Sequence, residues 1–126
     1  MKKIVFIFLI FFGLPSILYA NSNPEKCPSV QAIQATPFWI QKEGINSSYF
    51  DAIQENNKYD TEWENGVWTF IISFIYTKSP EEAAQIAKNV INTLQYNAGP
   101  LKNDKGWFCV YTTKVANIQA QTITYY

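Results

Sequence analysis

VWTFIISFIYTKSPEEAAQIAKNVINTLQYNAGP, residues 67–100, carries the two periods from which the fold is read. Between Val67 and Thr77 the residues alternate. Trp68, Phe70, Ile72, Phe74 and Tyr76 fall on one face, and Val67, Thr69, Ile71, Ser73 and Ile75 on the other. That period marks a strand, and its uniformly bulky face is the one to bury. At Ser79-Pro80-Glu81-Glu82 the period changes: an N-cap Ser, Pro at the first helical position and Glu three residues after the cap open a helix. Ala83, Ile86, Ala87, Val90, Ile91 and Leu94 form its apolar stripe, facing a sheet, and Asn97-Ala98-Gly99-Pro100 ends it.

Downstream, Leu101–Lys105 reads as a polar loop, with Gly106 as its hinge. Trp107–Thr112 reads as a strand with Trp107, Cys109 and Tyr111 on one face, and Ile118–Tyr125 as a Thr-rich final strand after a turn at 114–117. Upstream, Asn65-Gly66 is a tight-turn signal closing a polar stretch that begins at Glu55. Tyr49–Gln54 fits either a strand or one helical turn, and Glu43–Ser48 has turn chemistry. Ser29–Gln41, interrupted by Pro37, reads as an edge strand that breaks or bulges before Phe38. The expected fold is therefore α+β: a mostly antiparallel sheet of four to five strands, one amphipathic helix (about 80–96) on one face, and the order β-β-β-α-β-β.

The chain opens with Lys2 and Lys3, runs apolar from Ile4 to Leu14 and closes on Leu18-Tyr19-Ala20. These are the three parts of a cleavable secretory signal, so residues 1–20 are expected to be removed, leaving 21–126 as a single domain. A retained anchor is the alternative, but the run is shorter than the roughly 20 residues that span a bilayer. A short Phe/Ile/Leu core behind two lysines suits bacterial export, to the periplasm or beyond. No later stretch is long and apolar enough to span, so no membrane partner is expected after cleavage.

Without its signal the chain has eight Lys against ten Asp and Glu, a net charge of −2, and it has neither Arg nor His. Scattered lysines without Arg form no basic stripe, which disfavours nucleic acid. Without His there is no Ser-His-Asp or Cys-His nucleophile and no imidazole for zinc or haem. Most enzyme classes are poorly served, and the expectation is a protein that is not an enzyme, with no catalytic residue, no metal site and no required cofactor. Glu62 and Glu64 flanking Trp63 sketch a carboxylate pair for sugar chemistry, in a stretch that reads more simply as a solvated acidic loop. No calcium-loop register is present.

Cys27 and Cys109 are the two cysteines. In an exported chain an isolated pair most simply forms one disulfide, two free thiols being the alternative. The bridge would close a loop of about 80 residues, worth roughly 4 kcal/mol by the chain-entropy account. Aromatic residues make up 17% of the sequence, more than a core of this size needs. Trp68 and Trp107 read as core, whereas Tyr59, Trp63, Tyr125 and Tyr126 are candidates to line a site for a flat ligand or a peptide. For haem iron, Tyr is the ligand type left, since Met1 lies in the signal.

Cys-Pro-Ser-Val at 27–30, Trp-Thr-Phe at 68–70, the Ser-Pro-Glu-Glu-Ala helix start, Gly-Pro at 99–100, Gly-Trp-Phe-Cys-Val-Tyr at 106–111 and Ala-x-Thr-Ile-Thr at 120–124 form a pattern over nearly the whole mature chain. It resembles the DUF4949 family of small exported proteins from intracellular gammaproteobacteria, some of them labelled haemin-binding. The resemblance implies a compact α+β domain with the Cys27–Cys109 bridge and points to haem. It supplies no ligand motif, so no residue role is carried over. The expected function is an exported, non-enzymatic binding protein with haemin as first ligand. The alternative is a protein–protein or host-facing domain using a sheet edge or an aromatic patch.

Overall fold

The computed structural model describes residues 26–54, 58–61 and 66–125. Helix α1 (Val30–Gln34) is followed by β1 (Phe38–Lys42), β2 (Tyr49–Gln54), β3 (Thr69–Tyr76), helix α2 (Pro80–Asn92), β4 (Gln95–Lys102), β5 (Gly106–Thr112) and β6 (Gln119–Tyr125). The strands form one six-stranded sheet in the order β1-β2-β3-β6-β5-β4, antiparallel at every step. The last strand thus lies between β3 and β5 and joins the two halves of the chain. Helix α2 crosses one face over β1, β2 and β3, so that Ala83, Ala87, Val90 and Ile91 bury against Phe50, Ala52, Phe70, Ile72 and Ile75. The opposite face of the sheet carries no helix among the described residues.

The α+β class and the antiparallel sheet agree with the sequence reading, and Tyr49–Gln54 resolves as a strand. Three expectations need correction. The first concerns Ser29–Gln41, where the expected edge strand is a short helix followed by β1. The Ser29 hydroxyl accepts from the Ala32 amide at 3.0 Å, capping a turn that buries Ile33, and Pro37 then keeps the chain from continuing as a helix.

The second correction is that α2 ends at Asn92 and not near residue 96. The Thr93 hydroxyl bonds the Asn89 carbonyl at 2.9 Å at the helix end. The Asn97-Ala98-Gly99-Pro100 sequence, read as a helix stop, lies inside a sixth strand, β4, whose pairing with β5 shifts register twice. Its irregularity follows from a close approach. Gly99, at φ +130°, passes the disulfide, and a Cβ there would stand 2.9 Å from both Cys109 Cα and Cys27 Sγ.

The third correction concerns the bulky face of residues 68–76. Trp68, Phe70 and Ile72 are buried as expected, but the phase then slips: Ile75 is buried, and Phe74 and Tyr76 are exposed. Phe50 pairs with Ile75 while Ala52 pairs with Ile72, so β3 carries one extra residue, a β-bulge.

The N-terminal segment is fixed to this frame at three points. Cys27 and Cys109 form the expected disulfide, with Cα atoms 5.9 Å apart. The Tyr111 hydroxyl donates to the Pro28 carbonyl at 2.6 Å, and the Ser29 amide donates to Asp60 Oδ1 at 3.0 Å. Beneath α1 the fully buried Gln54 acts as a hub. Its Nε2 donates to the carbonyls of Ile33 and Thr36, both at 2.8 Å, and its Oε1 accepts from the Tyr59 hydroxyl at 2.7 Å. That hydroxyl in turn accepts from the Phe70 amide at 3.2 Å. One side chain so ties α1, β2, the 58–61 turn and β3 together.

Candidate functional site

Because residues alternate along a strand, the helix-free face takes Trp39 from β1, Ile53 from β2, Ile71 from β3 and, farther along, Phe108 and Ile123. At one end of this face the bulge in β3 changes the surface. Phe74 sits at φ +63°, a left-handed conformation uncommon for a bulky residue. There its ring is 51% exposed, when continued alternation would have sent it inward. Tyr49 meets it edge-on, with centroids 6.2 Å apart and planes at 85°, and Tyr76 lies 5.2 Å from Tyr49 at 55°. Tyr49 and Tyr76 are themselves 44% and 69% exposed. Ile45, in the β1–β2 turn, is almost fully exposed. Three contacting aromatic rings are thus turned to solvent at one place.

The bulge is held by acids. An extra residue frees its amide from the ladder, and the Phe74 amide donates to Asp51 Oδ1 at 3.3 Å. Glu43, at the start of the same turn, also accepts from this amide, and its carboxyl is hydrogen-bonded to that of Asp51. Hydrogen bonding with the Asp51 side chain first, then slight desolvation and the repulsion of the Asp51 charge, raise the Glu43 pKa above its ordinary value. Two neighbouring carboxyl groups, Glu43 and Asp51, therefore border the aromatic cluster.

The residues singled out from sequence do not assemble here. Tyr59 is an internal bracket on Gln54 and the Phe70 amide, and burial pushes its pKa up to about 12, which opposes tyrosinate formation near neutral pH. Trp63 and Tyr126, with Glu62 and Glu64, lie outside the described residues, as does the side chain of Tyr125. Tyr49, Phe74 and Tyr76 carried no distinguishing sequence signal, because only the bulge turns them outward together.

Among the described residues, open clefts also occur elsewhere. One, of about 370 Å³, lies by the β4–β5 turn, with Asn103, Lys105, Phe108, Gln121 and Ile123 among its walls. Another, of about 320 Å³, flanks the disulfide at Lys26, Pro28 and Tyr96. Neither brings together reactive side chains. Among the described residues no group of three or more His, Cys, Asp and Glu could hold a metal ion, and no helix is long and apolar enough to cross a membrane.

Residues 26–125 match the family described as a domain of unknown function, DUF4949. The chain belongs to that family. The DUF4949 match takes in both cysteines, the Gly99–Pro100 strand and the Tyr49–Phe74–Tyr76 cluster, so the bridge and the bulge both lie within the family domain. No curated protein and no solved structure matches the chain.

Proposed function

We propose that this DUF4949 protein is an exported, non-enzymatic binding module that meets a protein partner through the Tyr49–Phe74–Tyr76 patch. The observation that carries the reading is Phe74. Holding a bulky residue in the left-handed region costs on the order of 1 kcal/mol or more. Here that cost places an apolar ring in water rather than in the core. Exposed, contiguous aromatics are the groups that anchor protein interfaces. The disulfide is compatible with export to an oxidising compartment, and the N-terminal pattern of the sequence points the same way.

Strand addition at a sheet edge is the less favoured mode. Edge strand β1 has five residues and begins just after Pro37, and edge strand β4 contains Pro100 and two register shifts. Both are devices that blunt an edge.

A second reading, haemin as the ligand, is favoured by the exposed phenols of Tyr49 and Tyr76, since Tyr can ligate haem iron. A haemin titration of the oxidised protein separates the two, followed by the Soret band for the wild type and the Tyr49→Phe/Tyr76→Phe variant. The protein-partner reading expects weak, unsaturable uptake that is the same in both. Tight one-to-one binding with a tyrosinate-like spectrum, lost in the variant, would replace it with haemin.

A further inference from the structure

We infer that the segment of the partner that docks on the aromatic patch is basic, placing Lys or Arg side chains between the rings of Tyr49, Phe74 and Tyr76 and the carboxyl groups of Glu43 and Asp51. This deepens the proposed function and rests on it.

The patch joins two properties that a purely apolar contact would not need. Its rings present π-faces and edges to solvent, and an aromatic face attracts a cation within about 6 Å of its centre. Its border is a carboxyl pair, where one group's charge repels the other's. The charged group acting on Glu43 is another acid, Asp51, so the two carboxyl groups add their negative charge at one place. An incoming ammonium or guanidinium would bond both carboxylates and rest its apolar stem on the rings, as Lys and Arg stems do along apolar surface. An acidic partner would meet repulsion at the same spot, so the pair also selects against wrong partners.

The bulge links the two halves. The Asp51 carboxylate that would receive the cation is the one that bonds the Phe74 amide, so ring placement and charge placement depend on one residue. The remainder of the chain after the signal, eight Lys against eight other Asp and Glu, has no net charge, so any preference for a cation comes from the pair itself.

The test uses two synthetic peptides, acetyl-(Lys-Leu)3-amide and acetyl-(Glu-Leu)3-amide, titrated at low ionic strength into the oxidised, isotope-labelled protein and read from the amide shifts of Tyr49, Phe74 and Tyr76. The inference expects the Lys peptide to bind at these residues at least ten-fold more tightly than the Glu peptide. The preference should fall several-fold in Glu43→Gln/Asp51→Asn, which keeps the Asp51 oxygen that bonds Phe74. The Glu81→Gln/Asp104→Asn variant, with the same change in net charge at exposed sites outside the patch, should keep it. An equal loss in both variants would mean that only net charge is sensed and would overturn the inference. Equal binding of both peptides, or no shift at the three residues with either, would overturn it too. A protein found to contact position 74 through an acidic or uncharged segment would sink this inference and leave the proposed function standing.

Discussion

Replacing Phe74 by Asn separates a structural role for this residue from a binding role. Asn tolerates the left-handed region, so the exchange recovers about 1 kcal/mol of backbone strain. Against this stands the loss of a ring that is half exposed, about 1 kcal/mol of burial, and of its edge contact with Tyr49, about 0.5 kcal/mol or more. The two sides nearly cancel, and the predicted change lies within about 1 kcal/mol of zero. Phe70, four residues earlier on the same strand and fully buried, sets the contrast: Phe70→Ala should cost about 3–5 kcal/mol. Urea unfolding followed by Trp fluorescence measures both, provided the slope is unchanged. A loss above about 2 kcal/mol in Phe74→Asn would show that the ring is kept for folding, and the argument from strain would fail.

Three other outcomes follow from the frame around the patch. Gln54→Leu strips the Ile33 and Thr36 carbonyls and the Tyr59 hydroxyl of a partner and should cost about 3–5 kcal/mol in the same unfolding experiment; a cost below about 1 kcal/mol would mean that water replaces the hub. Gly99→Ala forces a Cβ against the Cys109 backbone at a φ of +130°, and a loss of about 2 kcal/mol or more is expected, with no loss counting against the close approach. The third concerns pH. Hydrogen bonds from Thr77 and Lys78 lower the Glu82 pKa. At Asp60 burial acts upward, but the hydrogen bonds from Ser29 and the charge of Lys26 outweigh it and leave the pKa low. Lowered carboxylates contribute stability that is present above their unfolded values of 4.5 and 3.8 and is lost as pH falls through the folded ones. Glu43 has the opposite sign: its contribution is complete below 4.5 and is lost as pH rises through its raised pKa. Glu43→Gln should therefore gain a fraction of a kcal/mol at pH 7 and nothing at pH 3, these groups being exposed. A gain independent of pH would refute the carboxyl pairing.

The parts of the fold legible in the sequence are those where local chemistry and burial agree. The Ser79 cap, Pro80 and the stripe from Ala83 to Ile91 define α2, and the hydroxyl of Ser79 does accept from the Glu82 amide. The Trp68–Phe70–Ile72 alternation defines the centre of the sheet, and an isolated pair of cysteines behind an N-terminal pattern that reads as an export signal points to the bridge. What was not legible depends on contacts distant in sequence. Residues 95–102 form a strand because β5 lies beside them, although Asn97, Gly99 and Pro100 all speak locally for a loop. The candidate site was hidden for the same reason. A single extra residue opposite Asp51 reverses the sense of every position after it, so Phe74 and Tyr76, read as core, become the most exposed rings of the strand. Tyr59 shows the converse: a tyrosine in a polar stretch looks available, and only the buried Gln54 beneath it explains its use.

The most direct test of the patch as an interface is a photo-crosslinking amino acid, p-benzoylphenylalanine, placed at position 74 and, as control, at the exposed Glu81 of α2, in the full-length protein expressed in its native cells. The account predicts one discrete protein adduct at position 74, absent at position 81 and absent when Tyr49 and Tyr76 are also replaced by Ser. The same adducts at both positions, or none at position 74 while the protein is made and folded, would contradict it.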